Sequence, residues 1–97
     1  GNIVGFDVDL LNAIGEDQGF KVEWKSLGFD GLIPALKSDN IDIVASGMWA
    51  NDERKKEVDF SDTYYNSGLV LAVKEDSEVT DVNSLPKDAV VAAQIGT

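Results

Sequence analysis

The sequence predicts an α/β chain with parallel strand pairing. Stretches with helix-period apolar spacing alternate with short apolar or alternating runs along all 97 residues. The runs at residues 41–45 and 89–94 are almost wholly apolar, the pattern of strands buried on both faces. Gly, Asn, Asp or Pro stands where one period gives way to the next.

Residues 1–6 (GNIVGF) open on turn formers, and Asn2 reads as the tip of a hairpin. Residues 7–18 form a helix. Leu10, Leu11 and Ile14 share one face, Asp7 and Asp9 suit the first turn, and Gly19 is a stop. Residues 21–26 alternate, with Val22 and Trp24 on one side and Lys21, Glu23 and Lys25 on the other, so they form a half-buried strand. Asp30 is the expected N-cap of a helix over residues 32–38, where Pro34 is tolerated in the first turn.

Residues 41–45 form a buried strand, and Asn51 caps a short helix over residues 52–58. Residues 60–67, with Tyr64 and Tyr65, are irregular. Residues 69–74 form a second apolar strand and 75–80 a polar turn. Residues 82–85 make a brief helical turn ended by Pro86, and residues 89–94 are a third buried strand.

Composition narrows the function. Hydrophobic residues make up 43% of the chain, enough for a packed core. The net charge is −10, which disfavours nucleic acid and anionic membranes as partners. There is no cysteine and no histidine, so disulfides, thiolate chemistry, Cys/His zinc sites and histidine acid–base catalysis are excluded. No apolar run approaches the roughly 18 residues that span a bilayer. Asp7-Val8-Asp9 lacks the glycine and terminal glutamate of a calcium loop. Asp39, Asp42, Asp59 and Asp62 are scattered acids of the ordinary solvated kind. No cofactor motif is present.

The informative stretch is residues 41–61, IDIVASGMWANDERKKEVDFS. A strand, a small-residue turn at Ser46-Gly47 and a helix start converge there. Arg54 is the only arginine in the sequence. Its planar fork suits a carboxylate, and backbone N–H groups at the helix start suit the same charge. A small anionic or zwitterionic ligand is expected at this point. The plain alternative is that an arginine after two acids makes a surface ion pair.

The runs GFDVDLLNAI, FDGLIPALKSDNIDIVASGM and DERKKEVDFSDTYYNSGLVLAV resemble the polar amino-acid family of extracellular solute-binding proteins, the glutamine-type receptors of ABC importers. The likeness covers nearly the whole chain in order. It implies a periplasmic-binding-protein-like type II clamshell of two α/β lobes. Residues 1–63 would be lobe one without its first strand, 64–68 a hinge crossing, and 69–97 the start of lobe two. The implied function is binding of a polar amino acid, glutamine or a relative, for delivery to the permease. It requires no enzyme activity and no cofactor, and it operates in the periplasm or outside the cell.

By that resemblance Arg54 grips the ligand carboxylate, with an N–H from the backbone near Trp49. Gly47 offers its carbonyl to the ammonium, with Ser46 nearby. Phe29 packs against the ligand side chain, and Gln94 and Thr97 belong to the loop that closes over it. Trp49 departs from the family, which has a small hydroxyl residue or an acid there. Indole only donates, so Trp49 supplies a cation–π face, a wall, or its backbone alone. The same fold also serves as the sensor of some signalling receptors and, more rarely, as a dehydratase. Without a first strand, the strands at 21–26 and 41–45 would carry unpaired edges. The chain by itself is therefore expected to re-pair or to form a strand-swapped homo-oligomer.

Overall fold

The computed structural model describes all 97 residues, Gly1–Thr97. Helix α1 spans Phe6–Gln18, one residue longer at its start than the spacing predicts. Gly19 ends it in the left-handed conformation, at φ 79°. The N–H groups of Gly19 and Phe20 both donate to the Gly15 carbonyl at 2.9 Å. That closure leaves the Phe20 carbonyl 2.6 Å from where a Gly15 Cβ would stand, so a glycine interrupts the helical pattern there.

A 3-10 turn over Phe29–Gly31 runs directly into α2, Leu32–Lys37. Asp30 is not the N-cap that the sequence predicts. It lies inside the 3-10 turn, and Gly31 occupies the cap without a side-chain bond. The cause is local. The Gly31 N–H closes back onto the Gly28 carbonyl at 2.9 Å, so the chain is already wound one turn before α2 begins. Helix α3, Asp52–Glu57, starts from Asn51 as expected. A second 3-10 turn, Val82–Ser84, is closed by a capping box between Asp81 and Ser84.

The strands at residues 21–26, 41–45, 69–74 and 89–94 do not form, and the chain has no β-structure. Helices close their hydrogen bonds within themselves, whereas a strand needs a neighbour, and β preference is largely the fit to that neighbour. None of the four runs has one. The surface reflects this. The accessible area is 8605 Å², against about 5,400 Å² for a folded monomer of this mass.

The chain divides into two units. One is Gly1–Phe60 with Gln94–Thr97, and the other is Ser61–Ala93. The first holds α1, α2 and α3. Leu32, at 8% exposure, is its buried aliphatic residue. Phe29, Ile33, Leu36, Ile41, Val44, Met48 and Val58 are half-buried in the same unit. In the second unit Leu69, Val70 and Val90 are fully open.

Candidate functional site

The site is built from the start of α3. Asn51 stands extended at the cap, and its side-chain oxygen accepts from the Arg54 N–H at 2.8 Å. The Lys55 N–H reaches the Asn51 carbonyl at 3.0 Å, completing the first turn. Arg54 is thus set in the first turn of α3, and it is half-buried.

Its guanidinium makes two hydrogen bonds and meets two aromatic rings. One terminal nitrogen donates to the Trp49 carbonyl at 2.9 Å and the other to the Gly96 carbonyl at 2.8 Å. The Phe29 ring lies 5.5 Å away and the Trp49 ring 5.6 Å away, both within cation–π range. This is a positioned arginine, not a loose surface ion pair. Gly96 must be glycine to serve it. At φ 85°, a Cβ there would stand 3.0 Å from the Asp30 Cα and Cβ.

Of the residues singled out in the sequence, Phe29, Trp49 and Arg54 come together. Trp49 meets Arg54 twice, through its carbonyl and through its ring face. Gln94 and Thr97 bracket Gly96, and the Thr97 hydroxyl donates to the Gln94 carbonyl at 2.9 Å. Ser46 is exposed. Gly47 is left-handed at φ 58°, and its N–H donates to Asp7 Oδ2 at 2.7 Å. Sequence reading missed Asp7 and Gly96, which lie 40 and 42 residues from their partners. No local pattern announces such pairs.

Between α2 and α3, Lys37 pairs with Glu57. The hydrogen bond from Lys37, and then its charge, hold the Glu57 carboxyl below its ordinary pKa. A depression of about 660 Å³ along α1, with Asn12, Glu16 and Lys21 in its lining, contains none of the candidate residues. No group of three or more acidic side chains is placed to hold a metal ion. No helix is long and apolar enough to cross a membrane.

The sequence profile of the bacterial extracellular solute-binding proteins, family 3, matches residues 1–94. The chain belongs to this family. Among curated relatives of this family-3 chain, the arginine-binding extracellular protein ArtP of Bacillus subtilis is 44% identical over 96 residues, covering 99% of the chain. A probable histidine-binding protein of Campylobacter jejuni is 43% identical over 96 residues, covering 98%. The ABC transporter glutamine-binding protein GlnH of B. subtilis is 38% identical over 100 residues, covering the whole chain. The family-3 chain spans 37% of the length of each of these three relatives.

A solved structure, an ancestral arginine-binding protein bound to glutamine, matches 67% of the chain and 29% of its own length, at 57% identity and a TM-score of 0.65. Family membership places the chain among periplasmic-binding-protein-like proteins, although it carries no strands of its own. The family and these relatives are binding proteins rather than enzymes.

Proposed function

We propose that this chain supplies part of an extracytoplasmic receptor that captures a polar amino acid and delivers it to the permease of an ABC importer. Arg54 carries the reading. A lone guanidinium, half-buried and fixed between two aromatic rings, is prepared for one planar anion. A ligand carboxylate matches that fork with two parallel bonds, which the Gly96 carbonyl alone cannot do, so the ligand takes the place of Gly96.

In this reading the turn at Ser46-Gly47 receives the ammonium, Trp49 walls the pocket, and Phe29 packs on the ligand side chain. Gln94 and Thr97 close over the ligand. Residues 1–63 belong to the first lobe, 64–68 to a hinge crossing and 69–97 to the second lobe. The ligand is glutamine or a close relative. The named ligands of similar proteins, arginine, histidine and glutamine, support the class.

Thermal melting of the whole protein against the twenty amino acids tests this. A ligand at about 100 times its dissociation constant stabilises by about 2.7 kcal/mol. Arg54→Ala is expected to weaken binding about 100-fold by removing two charged hydrogen bonds, which cuts the stabilisation at the same concentration to about 0.4 kcal/mol. A wild-type melt that no amino acid moves would overturn the transport reading.

A further inference from the structure

The turn at Ser46-Gly47 is held by a residue far away in sequence. The Gly47 N–H donates to Asp7 Oδ2 at 2.7 Å. Asp7 is the second residue of α1 and is half-buried. A hydrogen bond to an ionised acceptor at this length is of the stronger kind. The Ser46–Gly47 peptide is trans, so its carbonyl points opposite to its N–H. By fixing the N–H, Asp7 aims the Ser46 carbonyl away from α1. Two residues on, the Trp49 carbonyl accepts from Arg54. One end of this short turn is therefore set by Asp7 and the other by Arg54.

We infer that Asp7 is a positioning residue of the amino-acid site, its carboxylate holding the Ser46–Gly47 peptide in the orientation that the ligand meets. This role presupposes the amino-acid site proposed above. The competing role for Asp7 is to complement the α1 dipole. Asp9 sits in the same first turn and serves that purpose equally well. The two roles separate chemically. Alanine at position 7 removes the acceptor, asparagine keeps an acceptor oxygen without the charge, and alanine at position 9 removes a dipole partner alone.

Asp7→Ala, Asp7→Asn and Asp9→Ala are compared in the whole protein by two readouts. One is affinity for the amino acid identified by melting. The other is hydrogen exchange of the Gly47 amide by NMR, which needs no ligand. Asp7→Ala is expected to weaken binding and to speed Gly47 exchange about tenfold each. Asp7→Asn restores most of both, and Asp9→Ala changes neither. The inference is overturned if Asp7→Ala leaves Gly47 exchange at the wild-type rate. It is equally overturned if Asp9→Ala matches Asp7→Ala, or if Asp7→Asn restores nothing. If the wild type binds no amino acid while Asp7→Ala still frees the Gly47 amide, the proposed function falls and the link between Asp7 and the turn stands.

Discussion

The unit Gly1–Phe60 with Gln94–Thr97 and the unit Ser61–Ala93 are ordered by different means. In the first, side chains reach across the sequence. Trp24 donates to Asn12, Lys25 to the Asn40 carbonyl, Gly47 to Asp7 and Arg54 to Gly96, and Lys37 pairs with Glu57. In the second, Ser77, Asp81 and Ser84 hold groups only two to four residues away. Its apolar segments at residues 69–73 and 90–91 stay largely open. Local codes such as the Gly19 stop and the Asn51 cap form without distant help. An apolar run becomes structure only when something distant covers it.

The largest test of this contrast is Leu32→Ala. Leu32 is buried in the first unit, so its truncation is expected to cost about 2 kcal/mol, at the low end for a leucine because the core is shallow. Chemical denaturation followed by Trp24 fluorescence measures it. A loss below a few tenths of a kcal/mol would mean that the first unit has no cooperative core.

Self-association tests the second unit. Residues 67–73 carry no charge, and Val70 is 91% exposed. The chain leaves far more surface open than a compact monomer, while a standard interface needs about 800 Å² per partner. Antiparallel pairing of two copies of residues 67–75 sets Lys74 and Glu75 opposite neutral residues, whereas parallel pairing in register stacks like charges. Dimers of the 97-residue chain are therefore expected by light scattering. Salt should strengthen them, because it screens a net charge of −10. Val70→Lys should dissolve them, and Val4→Lys, at an exposed position of the first unit, should not. A monomer at every concentration and salt level would sink the idea.

Two caps sharpen the comparison further. Asn51→Ala is expected to cost about 1 kcal/mol and to release Arg54, so it lowers the first unit's melting midpoint. Asp81→Ala should open only the Val82–Ser84 turn and leave that midpoint unmoved. A shift from Asp81→Ala as large as that from Asn51→Ala would erase the distinction between the units.

The smallest effect is a pH dependence. The Glu57 pKa is lowered in the folded state. Its contribution is therefore present above the ordinary glutamate pKa and is lost as pH falls through the depressed value. Both partners are about half exposed, so the change is slight. A melting series in acid should show it in wild type and lose it in Glu57→Gln.

What was legible in the sequence follows the same division. The stop at Gly19 and the cap at Asn51 could be read because a few neighbouring residues determine them. Asp30 misled because the Gly28–Gly31 turn wound the chain one step early. The runs at 21–26, 41–45, 69–74 and 89–94 have strand composition and no strand. Pairing is a property of two segments, so the composition of one run does not settle it. At the site, the Trp49 carbonyl lies five residues from Arg54. Gly96 and Asp7 are brought in by the fold, so no spacing rule could have named them.

Trp49 has one consequence in optics. The chain has two tryptophans, and they differ sharply. The Trp24 indole N–H is engaged with Asn12 at 3.2 Å, while Trp49 is 65% exposed with its ring against the guanidinium. Any anion that binds Arg54 changes the electric field on one indole and leaves the other alone. With Trp24→Phe, emission from Trp49 alone becomes an unlabelled gauge of whether the arginine is occupied.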